Sequence, residues 1–165
     1  MLLQAGMDAP QFELFDADME IFSLAAQRGK KNIVLYFYHK DGTPGSTMEA
    51  NEFSDLDDKF RQLNTLVAGV SRDECLSHAE FRDKYGFSVL LLSDPESAVC
   101  EKYGVLDSKE ASTAQDQSAD ACNNASIIQR STFVIDKKGK IRHALYGVHA
   151  HGHAGEILDL IRKLK

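Results

Sequence analysis

The sequence predicts an α/β fold in which a central mixed β-sheet is flanked by helices on both faces. Short apolar runs alternate with amphipathic segments of helical period along most of the chain, and a hairpin pattern lies near its end. Such alternation is typical of strands joined by helices that pack on the sheet. The chain has 165 residues, 43% of them hydrophobic, so it can bury a proper core and we expect a single domain over residues 1–165.

The clearest strand and helix lie in residues 33–63. Residues 33–38 form a continuous apolar run rich in β-branched and aromatic side chains, which is typical of a strand buried on both faces. Thr43 and Pro44 then supply a hydroxyl N-cap and a proline at the first helical position. The face of one amphipathic helix follows, since apolar side chains recur every three or four residues at Phe53, Leu56, Phe60 and Leu63.

The later elements repeat this order and then close the fold. They are strands at 66–70 and 89–92, helices ending at Gly86 and Gly104, a hairpin of strands 132–136 and 141–146, and a last helix marked by Ile157, Leu158, Ile161 and Leu164. Residues 107–125 differ from all of these, because nearly every side chain there is small or polar. We expect a long mobile loop over 107–125, either functional or disordered.

Composition narrows the possible partners. The formal net charge is -6 and the nineteen Lys and Arg are dispersed, so neither nucleic acid nor an anionic membrane surface is favoured. No run approaches the roughly 18 apolar residues of a membrane span, and the start lacks the pattern of a secretion signal. Cys75, Cys100 and Cys122 are odd in number and widely spaced, which suits a reducing compartment. We therefore expect a cytoplasmic protein.

The segment most suited to chemistry is residues 40–46. It follows the buried strand and leads into the start of a helix, where free backbone N–H groups and the helix dipole favour a negatively charged atom. A cysteine at position 46 would be held there as a reactive thiolate. The residue present is Ser46.

Residues 36–50, with the sequence YFYHKDGTPGSTMEA, resemble the active-site segment of the peroxiredoxins, in the bacterioferritin-comigratory or Q subfamily. Further similar segments occur in the same order over nearly the whole chain, at residues 6–12, 69–73 with 77–78, 91–94 and 130–136. The resemblance implies a thioredoxin-like fold and a thiol-dependent peroxidase of hydrogen peroxide and organic hydroperoxides. It also implies thioredoxin or a similar dithiol protein as reductant, with no metal and no organic cofactor. Many members are monomers, which is our expectation here.

The resemblance also assigns roles to single residues. Ser46 takes the position of the peroxidatic cysteine, Thr43 matches the hydroxyl that positions the peroxide, and Arg130 matches the arginine that stabilises the thiolate. Glu49 matches an acidic position of the subfamily, and His39 stands where proline is usual. Simpler interpretations exist, because Thr43 is a sufficient N-cap, Glu49 suits the helix dipole, His39 suits a solvated surface, and spacing alone makes Arg130 an ordinary ion-pair residue.

A serine hydroxyl is not ionised near neutral pH and forms no sulfenic acid, so Ser46 should not turn over peroxide. We favour an experimental Cys→Ser substitution in an otherwise active peroxiredoxin. The alternative is a naturally inactive relative that binds or regulates a partner through the loop at 107–125. A serine hydrolase is weakly supported, because no Gly-x-Ser-x-Gly turn or triad accompanies Ser46.

The thiol that would resolve a cysteine at position 46 is left open by the sequence. Many Q members carry that cysteine where this chain has Asn51, so Cys75 and Cys122 become the candidates, with an external thiol as the third possibility. Cys100 lies on the apolar side of a predicted helix and suits a core position. Alternation of histidines at 149, 151 and 153 would suit a metal site only weakly, and we expect none.

Overall fold

The computed structural model describes residues 2–107 and 127–164. The loop expected over 107–125 therefore lies outside the described residues, except for Asp107, which belongs to a short strand and not to a loop. The expectation of a single domain over residues 1–165 stays a prediction. The elements, in chain order, are β1 Glu13–Asp16, β2 Ile21–Ser23, α1 Leu24–Gln27, β3 Asn32–Phe37, α2 Pro44–Asp55, α3 Asp57–Gln62, β4 Thr65–Ser71, α4 Cys75–Tyr85, β5 Leu90–Ser93, α5 Ala98–Lys102, β6 Leu106–Asp107, β7 Ile127–Ile128, β8 Ser131–Ile135, β9 Ile141–Tyr146 and α6 His153–Arg162.

The central sheet is mixed, as the sequence predicts. Its seven strands lie in the order β2-β1-β5-β4-β3-β8-β9, and β6 and β7 form a separate two-stranded sheet. The strands β3, β4 and β5 are parallel, whereas β1 and β8 join them antiparallel on either side. In the register of the centre, Leu35 pairs with Ala68 on one side and Phe133 on the other.

Helices cover both faces of this sheet. Successive side chains of β3 point alternately into two apolar clusters, with Leu35 in one and Tyr36 in the other. The first cluster is closed by α1 and α5, and the second by α2, α3, α4 and α6. Burial of β3 on both faces explains its uninterrupted apolar sequence.

The helical face predicted through Phe53, Leu56, Phe60 and Leu63 is wrong in one respect, because it is divided between two helices. The break lies at Leu56, whose φ of -99° and ψ of 2° are not helical. The turn at Leu56 still lets Phe53 and Phe60 both reach full burial, with their ring centroids 5.9 Å apart. The apolar spacing thus predicts the buried side correctly but not the interruption.

Other local signals are confirmed. Thr43 is the N-cap of α2 with Pro44 in its first turn, and Gly86 ends α4 in the left-handed conformation at φ 72°. The strands β8 and β9 form the predicted hairpin. Within the described part of the chain, no helix is long and apolar enough to cross a membrane.

Phe53 joins α2 to the sheet and to α6, and its truncation tests that packing. Its ring centroid lies 4.8 Å from that of Tyr36 and 6.1 Å from that of His153. Because Phe53→Ala leaves a cavity among rigid neighbours, we expect a loss of about 3–5 kcal/mol in the free energy of unfolding, measured with urea. The control Leu76→Ala, at a side chain that is 71% exposed, should cost less than about 0.5 kcal/mol. Equal losses in the two variants would contradict this packing.

Candidate active site

The start of α2 lies beyond the carboxyl end of β3, at the edge of the sheet where α/β proteins place their sites. A short loop connects the two elements. Gly42 in that loop has a φ of +83°, which favours glycine and lets the chain turn into the helix. Position 46 therefore lies in the first turn of a helix, as the segment 40–46 predicts.

Ser46 is the third residue of α2 and is only 2% exposed. Its hydroxyl oxygen lies 2.8 Å from Thr43 Oγ1, so the two hydroxyls share a hydrogen bond. Its backbone N–H also donates to Thr43 Oγ1, at 3.2 Å. The side chain of Thr43 therefore caps the helix and touches the residue at position 46 at the same time.

Arg130 lies beside the same first turn, although it is distant in sequence. Its guanidinium forms an ion pair with Glu49 and is 20% exposed. It also packs directly on Gly45, because a Cβ added at that residue would lie 2.8 Å from Nη2 of Arg130. The absence of a side chain at Gly45 thus leaves room for the positive charge of Arg130 next to Ser46.

Glu49 is fully buried one helical turn after Ser46. Its Oε1 accepts the hydrogen bond from Arg130, while Oε2 has no partner among residues 2–107 and 127–164. Burial raises the pKa of Glu49 to about 7, against the opposing charge and hydrogen bond of Arg130. The carboxyl therefore gains or loses a proton near neutral pH.

The other sequence candidates are placed less centrally. His39 is exposed in the loop after β3, and its pKa is lowered first by partial burial and then by the charge of Arg72. Cys75 is half-buried as the first residue of α4, and Cys100 is fully buried, which raises the pKa of its thiol. Cys122 lies outside the described residues.

The histidines near the end of the chain do not share one environment. His153 is 2% exposed and lies 2.7 Å from Thr132 Oγ1 through Nε2, whereas the side chain of His151 is 88% exposed. His153 instead packs edge-on against Phe53 at the start of α6. Its position suits core packing, and burial lowers its pKa.

One polar cluster was missed by the sequence reasoning. Behind the loop, Asp41 is hydrogen-bonded to Tyr38, Ser77 and His78, and its backbone to Asp73. The residues come from three separate parts of the chain, so their meeting could not be read from spacing. The only signal was that Asp41, Asp73, Ser77 and His78 lie within the segments of the family resemblance.

Comparison with known proteins agrees with this geometry. The model of the AhpC/TSA family matches residues 5–144. Peroxiredoxin Bcp of Bacillus subtilis is 34% identical over 164 residues, which cover 99% of this chain and 98% of that protein. The chain belongs to the AhpC/TSA family, as a peroxiredoxin of the Bcp/Q type. Peroxiredoxins are thiol peroxidases, and the resemblance seen in the sequence is confirmed at this level.

Solved peroxiredoxin structures have the same fold. A cysteine-to-serine mutant of PrxQ from Xylella fastidiosa has a TM-score of 0.85 at 31% identity, covering 98% of this chain and 96% of that one. The bacterioferritin comigratory protein of Xanthomonas campestris, described for its alkyl peroxide reduction activity, has a TM-score of 0.83 at 31% identity with the same coverage. The thioredoxin-like peroxiredoxin fold is thereby confirmed for this chain.

The raised pKa of Glu49 predicts a specific dependence of stability on pH. In the unfolded chain the carboxyl has the ordinary pKa of 4.5, and in the folded protein about 7. Between these values the folded state binds more protons, so this contribution to stability is present at low pH and is lost as pH rises towards 7. Glu49→Gln cannot titrate and should lack this decline.

The measurement is urea unfolding of Glu49→Gln and of the parent protein between about pH 5 and pH 8. The difference in the free energy of unfolding should move in favour of the variant by about 1–3 kcal/mol across that interval. A constant offset from the lost ion pair with Arg130 does not affect this trend. The exposed control Glu101→Gln should run parallel to the parent. Parallel behaviour of Glu49→Gln as well would show that burial does not raise the pKa of Glu49.

Proposed function

We propose that this chain is the scaffold of a peroxidase that reduces hydrogen peroxide and organic hydroperoxides through a cysteine at position 46, and that the Ser46 form is inactive. The observation that carries the proposal is the environment of Ser46. Its Oγ lies at a helix start, 2.8 Å from the hydroxyl of Thr43 and beside the guanidinium that packs on Gly45. This is an arrangement of donors and positive charge suited to a thiolate.

The reaction follows from that environment. A thiolate at position 46 attacks one peroxide oxygen, an S–O bond forms, and the O–O bond breaks. The departing oxygen takes a proton and leaves as water or an alcohol, and the sulfur becomes a sulfenic acid. A second thiol condenses with the sulfenic acid and releases water, and a dithiol reductant then reduces the disulfide. Ser46 cannot begin this sequence, because its hydroxyl is not ionised near neutral pH.

Three residues would assist the step. The hydroxyl of Thr43 would hold a peroxide oxygen near position 46, and Arg130 would stabilise both the thiolate and the charge that develops on the departing oxygen. Glu49 would orient Arg130 through their ion pair. His39 is exposed in the loop after β3, where contact with a substrate is a further proposal.

The proposal also covers the substrate, the reductant and the cellular setting. Organic hydroperoxides are supported by the alkyl peroxide reduction activity described for the Xanthomonas campestris relative. We propose thioredoxin or a similar dithiol protein as reductant, and a monomer in the cytoplasm. Neither a metal nor an organic cofactor is part of the proposal.

The identity of residue 46 favours a second candidate, a naturally inactive peroxiredoxin that acts as a binding or regulatory protein. The two candidates differ in their source gene. A cysteine codon at position 46 would make Ser46 an experimental substitution, whereas a serine codon would favour the binding function. The loop at 107–125 would then be the first segment to test for a partner.

The main prediction concerns Ser46→Cys. With thioredoxin, thioredoxin reductase and NADPH, we expect this variant to consume hydrogen peroxide and the parent protein to remain at the background rate. The matched control is Ser54→Cys, which places a new thiol two turns later on α2 and should also remain at background. If Ser46→Cys is as inactive as Ser54→Cys, the proposed function is wrong.

The variant Ser46→Cys can also be used to identify the thiol that resolves the sulfenic acid. After one equivalent of peroxide, mass spectrometry of Ser46→Cys should show a disulfide from position 46 to Cys75 or to Cys122, or a sulfenic acid if the resolving thiol is external. Cys75 is half-buried on α4, and Ser77 two residues later is hydrogen-bonded to the active-site loop at Asp41. Cys100 is fully buried and should remain a free thiol.

Substitutions of Thr43 separate helix capping from peroxide positioning. In the Ser46→Cys background, Thr43→Asn keeps an N-cap acceptor but removes the hydroxyl, and Thr43→Ser keeps both. We expect Thr43→Asn to unfold within about 1 kcal/mol of the background while its rate with peroxide falls roughly tenfold or more. Thr43→Ser should retain most of the rate. A full rate in Thr43→Asn would leave Thr43 with a capping role alone.

A further inference from the structure

The Asp41 cluster, consisting of Tyr38, Asp41, Asp73, Ser77 and His78, lies on the other side of the active-site loop from Arg130. Tyr38 directly follows β3, Asp73 lies between β4 and α4, and Ser77 and His78 lie in the first turn of α4. The cluster therefore joins the loop to three neighbouring parts of the fold. None of these residues has a role in the proposed reaction.

Asp41 is the centre of the cluster, and both of its carboxylate oxygens are occupied. Oδ1 accepts a hydrogen bond from Tyr38 at 2.6 Å, and Oδ2 accepts from Ser77 at 2.8 Å. Nδ1 of His78 also lies 2.8 Å from Oδ2. The backbone N–H of Asp41 donates to Oδ2 of Asp73 at 2.7 Å. The loop is thus held by four hydrogen bonds at a single residue.

His78 extends this connection into the sheet. Its side chain is fully buried, and Nε2 lies 2.9 Å from the carbonyl oxygen of Leu92 in β5. A carbonyl only accepts, so Nε2 is the donor in this contact. Burial raises the pKa of Asp41, but the hydrogen bonds from His78, Tyr38 and Ser77 outweigh burial and keep that pKa below its ordinary value. Asp41 is therefore held as a carboxylate, in contact with Nδ1 of His78.

A metal ion is a weaker explanation for the same residues. One ligand atom from each of Asp41, Asp73 and His78 lies within 4.8 Å of the others. Each of these atoms is already engaged, since Oδ2 of Asp73 accepts from Ser71 at 2.7 Å as well as from the backbone of Asp41. A cation would have to displace these donors. The cluster is complete as a hydrogen-bonded network.

We propose that Asp41 and His78 are positioning residues for the peroxide step, which hold the loop so that Thr43 and residue 46 keep their mutual geometry. Asp41 precedes the N-cap by two residues, and Gly42 between them has a φ of +83° and adds no side-chain contact of its own. The anchored side chain of Asp41 thus fixes the point from which α2 begins. The proposal rests on the proposed peroxidase function.

The size of the effect follows from the geometry of the reaction. Displacing a reacting group by about 1 Å lowers rates by up to about a hundredfold. In the Ser46→Cys background we therefore expect Asp41→Ala and His78→Ala each to lower the second-order rate constant with hydrogen peroxide by about ten- to a hundredfold. Because the two residues act as one unit, the double variant should lose no more than the poorer single variant.

A conservative substitution and a matched control make the test specific. Asp41→Asn keeps an acceptor for Tyr38 and places an amide beside Nδ1 of His78, so it should retain the rate within about fivefold. The control Asp136→Ala removes a carboxylate that also holds a turn, through the backbone N–H groups of Lys138 and Lys140. It should change the rate by less than about twofold.

The outcomes separate a positioning role from a structural one. If Asp41→Ala lowers only the melting temperature and leaves the rate of the folded protein unchanged, or if the double variant loses the product of the two single losses, the proposal is overturned. If Asp41→Ala does not fold, Tyr38→Phe removes one bond to Asp41 and should lower the rate at least about threefold, and an unchanged rate would again overturn the proposal.

Failure of the proposed function is distinguished by a second measurement. If Ser46→Cys does not react with peroxide, the introduced thiol is alkylated with iodoacetamide and followed by mass spectrometry. Alkylation depends on the thiolate, which the helix start and Arg130 stabilise. A slower alkylation in Asp41→Ala than in the background supports the positioning role even then, and equal alkylation overturns it.

Discussion

The inward orientation of the first turn of α2 is the constraint on which the rest of the site depends. Ser46, Glu49 and Phe53 lie on the helix face that is buried against the sheet. Apolar contacts of Phe53 hold that face in place, and the cap of Thr43 fixes where the helix begins. Position 46 is therefore fixed by packing further along the helix.

Two carboxyl groups lie on either side of this turn, half-buried Asp41 and fully buried Glu49, and their surroundings shift their pKa values in opposite directions. Glu49 has one ionic partner, and its Oε2 has no partner among the described residues, so burial dominates and its pKa rises to about 7. Asp41 accepts three side-chain hydrogen bonds, which overcome its burial, so its pKa falls. Asp41 has more donors and is less deeply buried than Glu49, and both differences favour the ionised form of Asp41. Of these two carboxyl groups, Glu49, the partner of Arg130, is therefore the one that exchanges a proton near neutral pH.

The sequence predicts those parts of the fold that depend on neighbouring residues. The apolar run of β3, the cap at Thr43 and the glycine that ends α4 are local patterns, and each is found where it was expected. Contacts between distant residues leave no such pattern. Arg130 reaches Gly45, and His78 reaches Asp41, only because neighbouring strands of the sheet bring their ends together. The break at Leu56 was also hidden, since the apolar spacing continues across it.

Glu49 also bears on how the site would accommodate a thiolate. With Ser46 in place, Glu49 is the anionic partner of Arg130 among residues 2–107 and 127–164. A thiolate at position 46 would bring a second negative charge towards the same guanidinium and would favour the protonated form of Glu49. Since its pKa already lies near 7, the carboxyl can take up that proton at little cost. In the proposed reaction, protonation of Glu49 would leave the charge of Arg130 available to the sulfur, while the hydrogen bond between the two side chains would still orient the guanidinium.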